Sequence, residues 1–353
     1  MIMDKDQSGF ANHSDSPPVD PPVIGITMGC PVGVGPEIIL RLAAGLKHTP
    51  AYRFVVVGDI NVLENCSQEL AIPVTIRPWR PGLPALEAGI LPVLPVSNLE
   101  PARLVWGRPD VDTGQAMADY IRETVRLVRA GTLAAMVTCP IAKSALHAAG
   151  FSFPGHTEML ASLCQTTDYA MMMAGDRLRV SLVTIHTPLA GVAAMLDQKE
   201  VFRIIRLTHH SLARDFGISR PRIAVAGFNP HAGEEGLFGD EEGREISPAV
   251  DRAVAAGWQV SGPLPPDTVF YRALNGEFDA VVCMYHDQGL IPFKLIHFLD
   301  GVNVTLGLPI VRTSVDHGTA YDIAGKGLAN PASLGAACRL AAAIVANRRR
   351  LPS

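Results

Sequence analysis

Charge is scarce in this chain. Asp, Glu, Lys and Arg make up only 18% of it, and 30 basic against 34 acidic residues leave a net charge of −4. No basic block stands out, which excludes the electrostatic footprint of a nucleic-acid binder. The cysteines at 30, 66, 139, 164, 283 and 338 form no CxxC pair, and several sit inside apolar runs. That is the usage of a reducing compartment, not of a disulfide framework. Long apolar runs are missing too: the segment 336–346 is short and broken by Arg339, well under the ~20 residues of a membrane span. Residues 1–22 are polar and proline-rich and lack the apolar centre of a secretory signal, so they read as a flexible leader with His13 in solvent. A soluble, cytoplasmic protein is predicted, with neither membrane nor nucleic acid as partner. Hydrophobic residues, by contrast, reach 48% over 353 residues, enough for a large core and for two lobes with a cleft between them.

Short apolar runs alternate with helical patterns along the chain. A first strand, 23–28, meets the glycine-rich turn 29–36 (GCPVGVGP) and a helix over 38–46. Glycines permit a tight strand-to-helix turn, and a helix N-terminus there is a candidate anion or cofactor site, although the spacing is not G-x-G-x-x-G. The next strand ends in Gly58 and Asp59, as in a dinucleotide fold. Residues 71–110 read as a connecting segment with short strands, and 113–129 as an amphipathic helix with Met117, Ile121, Val125 and Val128 on one face. A buried strand over 134–138 precedes Lys143, which reads as a salt-bridging residue at a helix start. Thr157 reads as a helix cap. His209 and His210 fall inside a helical pattern as neighbours, a poor chelate. Residues 262–268 (GPLPPDT) read as a stiff loop.

Three apolar, strand-like runs end on a histidine: 179–185 into His186, 223–228 into Asn229, Pro230 and His231, and 280–285 into His286. Ligands in open α/β sheets bind beyond the carboxyl ends of strands. Taken singly, each histidine reads as a hydrogen-bonded residue of a strand–loop junction. Taken together, three neutral imidazoles with an open position suit a catalytic divalent metal, Zn²⁺ first, with Mg²⁺, Mn²⁺ or Co²⁺ as alternatives. Downstream, Lys294, Asn303 and Arg312 lie among apolar residues and suit a phosphate or carboxylate.

The motifs PGHTE (154–158), NPHAGEEG (229–236), MYHDQGL (284–290) and GVNVTLGLPIVRTSVDHGTA (301–320) occur in this order after the glycine turn. Together they resemble the 4-hydroxythreonine-4-phosphate dehydrogenase family, over roughly residues 23–345. The segment 317–331 (HGTAYDIAGKGLANP) is also similar to the cofactor loop of isocitrate and isopropylmalate dehydrogenases. The resemblance implies a two-lobed α/β/α fold with mostly parallel sheets, of the isocitrate/isopropylmalate dehydrogenase type. One lobe would comprise 23–142 with 300–353, and the other 143–299 with the histidines and a dimer interface.

The implied reaction is metal-dependent oxidation of 4-phosphohydroxy-L-threonine by NAD or NADP. The product, 2-amino-3-oxo-4-phosphooxybutanoate, would decarboxylate to 3-amino-2-oxopropyl phosphate in pyridoxine 5'-phosphate synthesis. His156 and Thr157 would contact substrate beside Lys294, Asn303 and Arg312. Asp267, matching an acidic position of the family, or Lys294 would move the proton. His317, Gly318, Asp322 and Gly325 would line the dinucleotide. A homodimer with its active site at the subunit interface is implied. Where the family carries Asp or Glu, this chain has Cys30, which removes a carboxylate and leaves a weakened, binding-only member as one reading. The alternatives are a sibling dehydrogenase for threonate or erythronate 4-phosphate or for a cyclic dihydrodiol, and a metal-dependent phosphoesterase. The last gives the 317–331 loop no task.

Overall fold

Gly35 shows why the first turn of the chain is closed by glycine. A Cβ there would lie 2.1 Å from the carbonyl oxygen of Met28, so no larger residue fits between β1 (Val23–Thr27) and α1 (Gly35–Ala44). The computed structural model describes residues 21–46, 51–83, 85 and 89–350; the leader and His13 lie outside them, apart from residues 21 and 22. The chain continues through β2 (Arg53–Gly58), α2 (Ile60–Glu69), β3 (Thr75–Pro78), β4 (Ile90–Pro95), α3 (Val111–Arg129) and β5 (Ala135–Thr138). Next come α4 (Lys143–Ala148), α5 (His156–Leu163), β6 (Ala170–Ala174), β7 (Arg179–Leu182), α6 (Leu189–Met195) and α7 (Gln198–Arg214). β8 (Arg222–Ala226), α8 (Ser247–Ala255), β9 (Gln259–Leu264), α9 (Pro266–Leu274) and β10 (Ala280–Cys283) follow. The chain closes with α10 (His286–His297), β11 (Val302–Leu306), β12 (Arg312–Val315) and α11 (Ala332–Arg350).

Among the described residues, twelve strands join one sheet, in the order β3-β4-β2-β1-β5-β12-β11-β6-β7-β10-β8-β9. β3 through β12 are mutually parallel, as are β7, β10, β8 and β9, while the contacts of β11 and β6 are antiparallel. The mostly parallel α/β architecture expected from the sequence is present. Both faces are covered by helices, which is why the strands read as continuous apolar runs instead of alternating ones. The main core holds Ile24, Ile26, Phe54 and Val56 from one half of the sheet with Ile223, Val225 and Val282 from the other.

Local chemistry fixes the helix starts. Asp110 and Thr113 form a reciprocal capping box on α3. Asp59, placed by the sequence where a dinucleotide fold keeps its acidic residue, is instead fully buried: it caps α2 through Val62 N and takes Ser97 Oγ and Leu99 N at 2.7 Å each. Two local readings are corrected. The stretch 262–268 is not a loop but the end of edge strand β9 and the first turn of α9. Thr157 caps nothing, because α5 begins at His156 with Gly155 in the cap position.

Candidate active site

β7, β10 and β8 are adjacent and parallel, so their carboxyl ends line one stretch of the sheet edge. His186 follows β7, His286 opens α10 directly after β10, and His231 lies in the turn after β8. The rings of His186 and His286 are 6.4 Å apart between centroids. His186 is held below the ordinary imidazole range by burial first, then by Lys143, with Glu158 opposing. His286 Nδ1 lies 2.6 Å from Asp287 Oδ1. His231 stands in a left-handed turn, with φ positive from residue 231 through 235 although only Gly233 is glycine. Such a conformation costs about 1–2 kcal/mol per non-glycine residue and persists only where neighbours hold it. Glu242, 5% exposed, supplies that hold by accepting from Phe228 N (2.7 Å), Asn229 N (2.6 Å) and Asn229 Nδ2 (3.0 Å).

Within one chain the His186 and His286 rings are neighbours, the His231 ring meets Phe238 at 6.2 Å, and among the described residues the three do not close into a ligand set. Among the described residues, the trio of ligand atoms mutually within 4.8 Å is Asp176, His297 and Asp300. There the buried His297 ring already bonds Asp300 at 3.1 Å through Nδ1 and accepts Arg177 N–H at Nε2.

A buried cation stands at the start of β12. Arg312, 3% exposed, donates to Thr305 Oγ1 (3.0 Å), Thr138 Oγ1 (2.7 Å) and Asn303 Oδ1 (3.4 Å), and its Nε is buried without a partner. No carboxylate bonds to it among the described residues. Burial pushes the guanidinium down to about 9, with Glu158 opposing. His156 lies close by: burial, then Arg312, then Lys143 hold its imidazole well below the usual range, and its Nε2 is buried and unpartnered. Lys143 forms no salt bridge among the described residues, contrary to the sequence expectation; its charge bears on His156 and His186 instead. Lys294 pairs with Asp316 at 3.3 Å, and burial raises the Asp316 carboxyl while Lys294 opposes the rise. His286 and His317 also bear on Asp316, so Lys294, His286 and the start of the 317–330 loop share one region.

That loop packs on the glycine turn, which unites the two cofactor candidates read from the sequence. Val34 N donates to Thr319 O at 3.1 Å, and Glu37 Oε1 accepts Ala329 N at 2.9 Å and Arg41 Nε at 2.8 Å. Arg41 also reaches the Gly327 carbonyl. His317 Nδ1 sits 2.9 Å from Gly318 O, Asp322 is exposed, and Gly325, at φ +73°, has Trp106 where a Cβ would be. Cys30 is fully buried near Val32 and Met117, its Sγ 3.4 Å from Tyr321 Oη, and burial pushes its thiol up.

Asp267 is exposed in the first turn of α9, which packs on the His231 turn, and the structure gives it no hydrogen bond to the histidines. Thr157 is half-buried, and its hydroxyl has no hydrogen-bond partner among the described residues. His209 stacks on Trp258 at 4.6 Å and His210 meets its edge at 5.6 Å, the structural role expected of them. Sequence alone does not reveal that Thr138 and Thr305 bond Arg312, that Glu158 bears on it, or that Asp316 pairs with Lys294, since these roles arise only when distant segments meet.

The family model described as pyridoxal phosphate biosynthetic protein PdxA matches residues 50–341. A 4-hydroxythreonine-4-phosphate dehydrogenase of Desulforapulum autotrophicum is 54% identical over 322 residues, covering 91% of this chain and 95% of the relative. The crystal structure of 4-hydroxythreonine-4-phosphate dehydrogenase from Klebsiella pneumoniae is 42% identical, with a TM-score of 0.84 over 92% of this chain and 99% of that one. A terephthalate 1,2-cis-dihydrodiol dehydrogenase from Burkholderia xenovorans is 30% identical, with a TM-score of 0.63 over 91% and 98%. By these matches, this chain belongs to the PdxA family of pyridoxal phosphate biosynthetic proteins.

Proposed function

We propose that this chain oxidises 4-phosphohydroxy-L-threonine with NAD or NADP to 2-amino-3-oxo-4-phosphooxybutanoate, which then loses CO₂ to give 3-amino-2-oxopropyl phosphate. The observation that carries the reading is Arg312: a buried guanidinium with no carboxylate bonded to it, beside the unpartnered Nε2 of His156. An isolated buried charge is costly unless an opposite charge compensates it, and a substrate phosphate or carboxylate would do so bidentately. Asn303 orients the guanidinium, and Thr157 at the N-terminus of α5 adds a hydroxyl near the same anion.

His186, His231 and His286 fit a divalent cation by chemistry and placement. They are imidazoles at the ends of three neighbouring parallel strands, and His186 is held neutral near pH 7. Zn²⁺ suits three nitrogens best, ahead of Mg²⁺, Mn²⁺ and Co²⁺. A bound cation supplies Lewis-acid polarisation of the substrate's secondary hydroxyl, and a bound nicotinamide accepts the hydride. Lys294, paired with Asp316 close to His286, is the better-placed group to relay the hydroxyl proton; Asp267 opens the helix packed on the His231 turn and is the alternative. The loop bearing His317, Gly318, Asp322 and Gly325, held against the glycine turn, would seat the dinucleotide. A homodimer would complete the site, because one chain does not close the three histidines into a ligand set and α10 exposes apolar side chains next to His286.

Purified protein given 4-phosphohydroxy-L-threonine, NAD and metal should form NADH, and chelator or His231→Ala should abolish it. Inorganic phosphate without NADH would mean a phosphoesterase instead. Turnover only of threonate or erythronate 4-phosphate would move the chain to a sibling activity. Turnover of a cis-dihydrodiol alone would align it with the Burkholderia xenovorans relative.

A further inference from the structure

Behind the three histidines, buried polar side chains brace the strand ends to one another. Gln288, 7% exposed, accepts from Met284 N through Oε1 and donates through Nε2 to Gly227 O, both at 2.6 Å. One amide thus ties the end of β10, just before His286, to the end of β8, just before the His231 turn. On one flank Thr184 meets Met284 O through its N–H at 3.1 Å and its Oγ1 at 2.8 Å, which secures the segment leading to His186. On the other flank Glu242 takes the N–H groups of Phe228 and Asn229.

Glycine lets the brace close. At Gly227 a Cβ would come 2.7 Å from Ala232 Cα and 3.2 Å from Glu242 Oε1, and at Gly289 one would come 3.0 Å from Leu182. Only an uncharged amide does what Gln288 does, since a carboxylate cannot donate to Gly227 O and a hydrocarbon bonds neither group. A buried N–H or C=O stripped of its partner is costly, so this spacing is strongly held.

We infer that Gln288 is a positioning residue for the histidines: with Thr184 and Glu242 it fixes the strand ends that carry them, so that their imidazoles can serve a cation within the proposed dimer. The inference rests on the metal reading proposed above. Outer partners of metal ligands typically contribute 10–100-fold in affinity, so Gln288→Met, similar in volume but without the amide, should weaken Co²⁺ binding by about that factor. The measurement is titration of the metal-free full-length protein with Co²⁺, followed by its visible absorption, with circular dichroism to verify folding. His186→Ala serves as the benchmark for loss of a ligand. Turnover should show kcat falling more than KM rises. Glu242→Gln, which still accepts the backbone donors, should bind Co²⁺ nearly as wild type does, whereas Glu242→Leu should not.

If Gln288→Met binds Co²⁺ with wild-type affinity and spectrum while His186→Ala has lost it, the brace is merely structural and the metal reading survives. If wild-type protein gives no Co²⁺ spectrum, the metal reading falls and the inference falls with it. Should Gln288→Met fail to fold, Thr184→Val, which keeps its backbone bond to Met284, carries the same test with the same two outcomes.

Discussion

Arg312 is a side chain that the fold would be easier without. Its guanidinium, pushed down to about 9 by burial, is bonded to two hydroxyls and an amide, but to no carboxylate. Replacing a buried charge with an apolar residue of similar volume is often neutral or stabilising by about 1–4 kcal/mol. Arg312→Met should therefore melt no lower than wild type in calorimetry. The same change should raise KM for the phosphorylated substrate by about 30-fold or more, the cost of ~2 kcal/mol or above for a lost charged contact, with dinucleotide affinity nearly unchanged. Equal loss of both affinities would show the anion site to be misplaced. The buried imidazoles set a pH dependence. His156, His186, His209 and His210 are all held below their ordinary values, burial being the leading cause in each. Unfolded chains protonate these rings near pH 6.5 while the native state does not, so the unfolded state binds more protons and stability falls as pH drops below that value. Urea melts from pH 7.5 to 5 should show the decline, and His156→Gln should flatten it. Arg312 was legible in the sequence because a cation among β-branched residues is conspicuous. Gln288 and Glu242 were not, because their partners are backbone groups whose positions only the sheet order determines.

The elements around the site are held by contacts between distant segments. Glu37, fully buried in the first turn of α1, joins Arg41 and the amide of Ala329, and Arg41 reaches Gly327 O. The loop 317–330 is therefore fastened near its end by one carboxylate. Glu37→Gln should loosen it: amide exchange across 327–329 should quicken, and NAD affinity should fall about 10-fold for a loss near 1.4 kcal/mol, while exchange in β12 stays unchanged. Elsewhere Asp215, the C-cap of α7, is gripped by Arg348 of α11 at 2.6 Å and by Arg214 at 3.1 Å. Burial alone would raise its carboxyl, but Arg348 and then Arg214 overturn this and hold it below the usual carboxylate range. A depressed carboxyl contributes stability that is present above the ordinary value near pH 4 and disappears as pH falls through the native one. Arg348→Met should thus be less stable than wild type at pH 7, and the gap should close on acidification toward pH 3. Most strands were readable, because buried parallel strands are uniformly apolar. β9 was missed because its Gly262 and Pro263 carry loop signals, and an edge strand tolerates both.

At the scale of the whole molecule, the sheet consists of two parallel halves running in opposite directions, joined through β11 and β6. Arg312 begins β12, which belongs to the first half, while the histidines follow strands of the second. Sequence order alone did not reveal this meeting, since β11 and β12 come from the far end of the chain and slot between earlier strands. In the proposed homodimer, the side of α10 away from the sheet would meet the partner. Ile291 and Leu295 on α10, with Phe298 and Leu299 in the turn that follows it, are 60%, 82%, 74% and 60% exposed, an apolar stripe along the helix that starts with His286 and its C-terminal turn. A second copy seated there would bury the stripe and bring its own side chains toward His286, in keeping with a ligand set that one chain leaves unclosed. Leu295→Asp combined with Phe298→Asp should put two charges into that contact, where an unpaired buried charge costs several kcal/mol. Sedimentation velocity should then give the mass of one chain in place of two. Neither residue supports the core, so circular dichroism and the thermal midpoint of each chain should change little apart from the loss of association. NADH formation should fall with the dimer and recover as protein concentration drives reassociation. A double variant that sediments as one chain yet retains full turnover at every concentration would show that each protomer is catalytically complete.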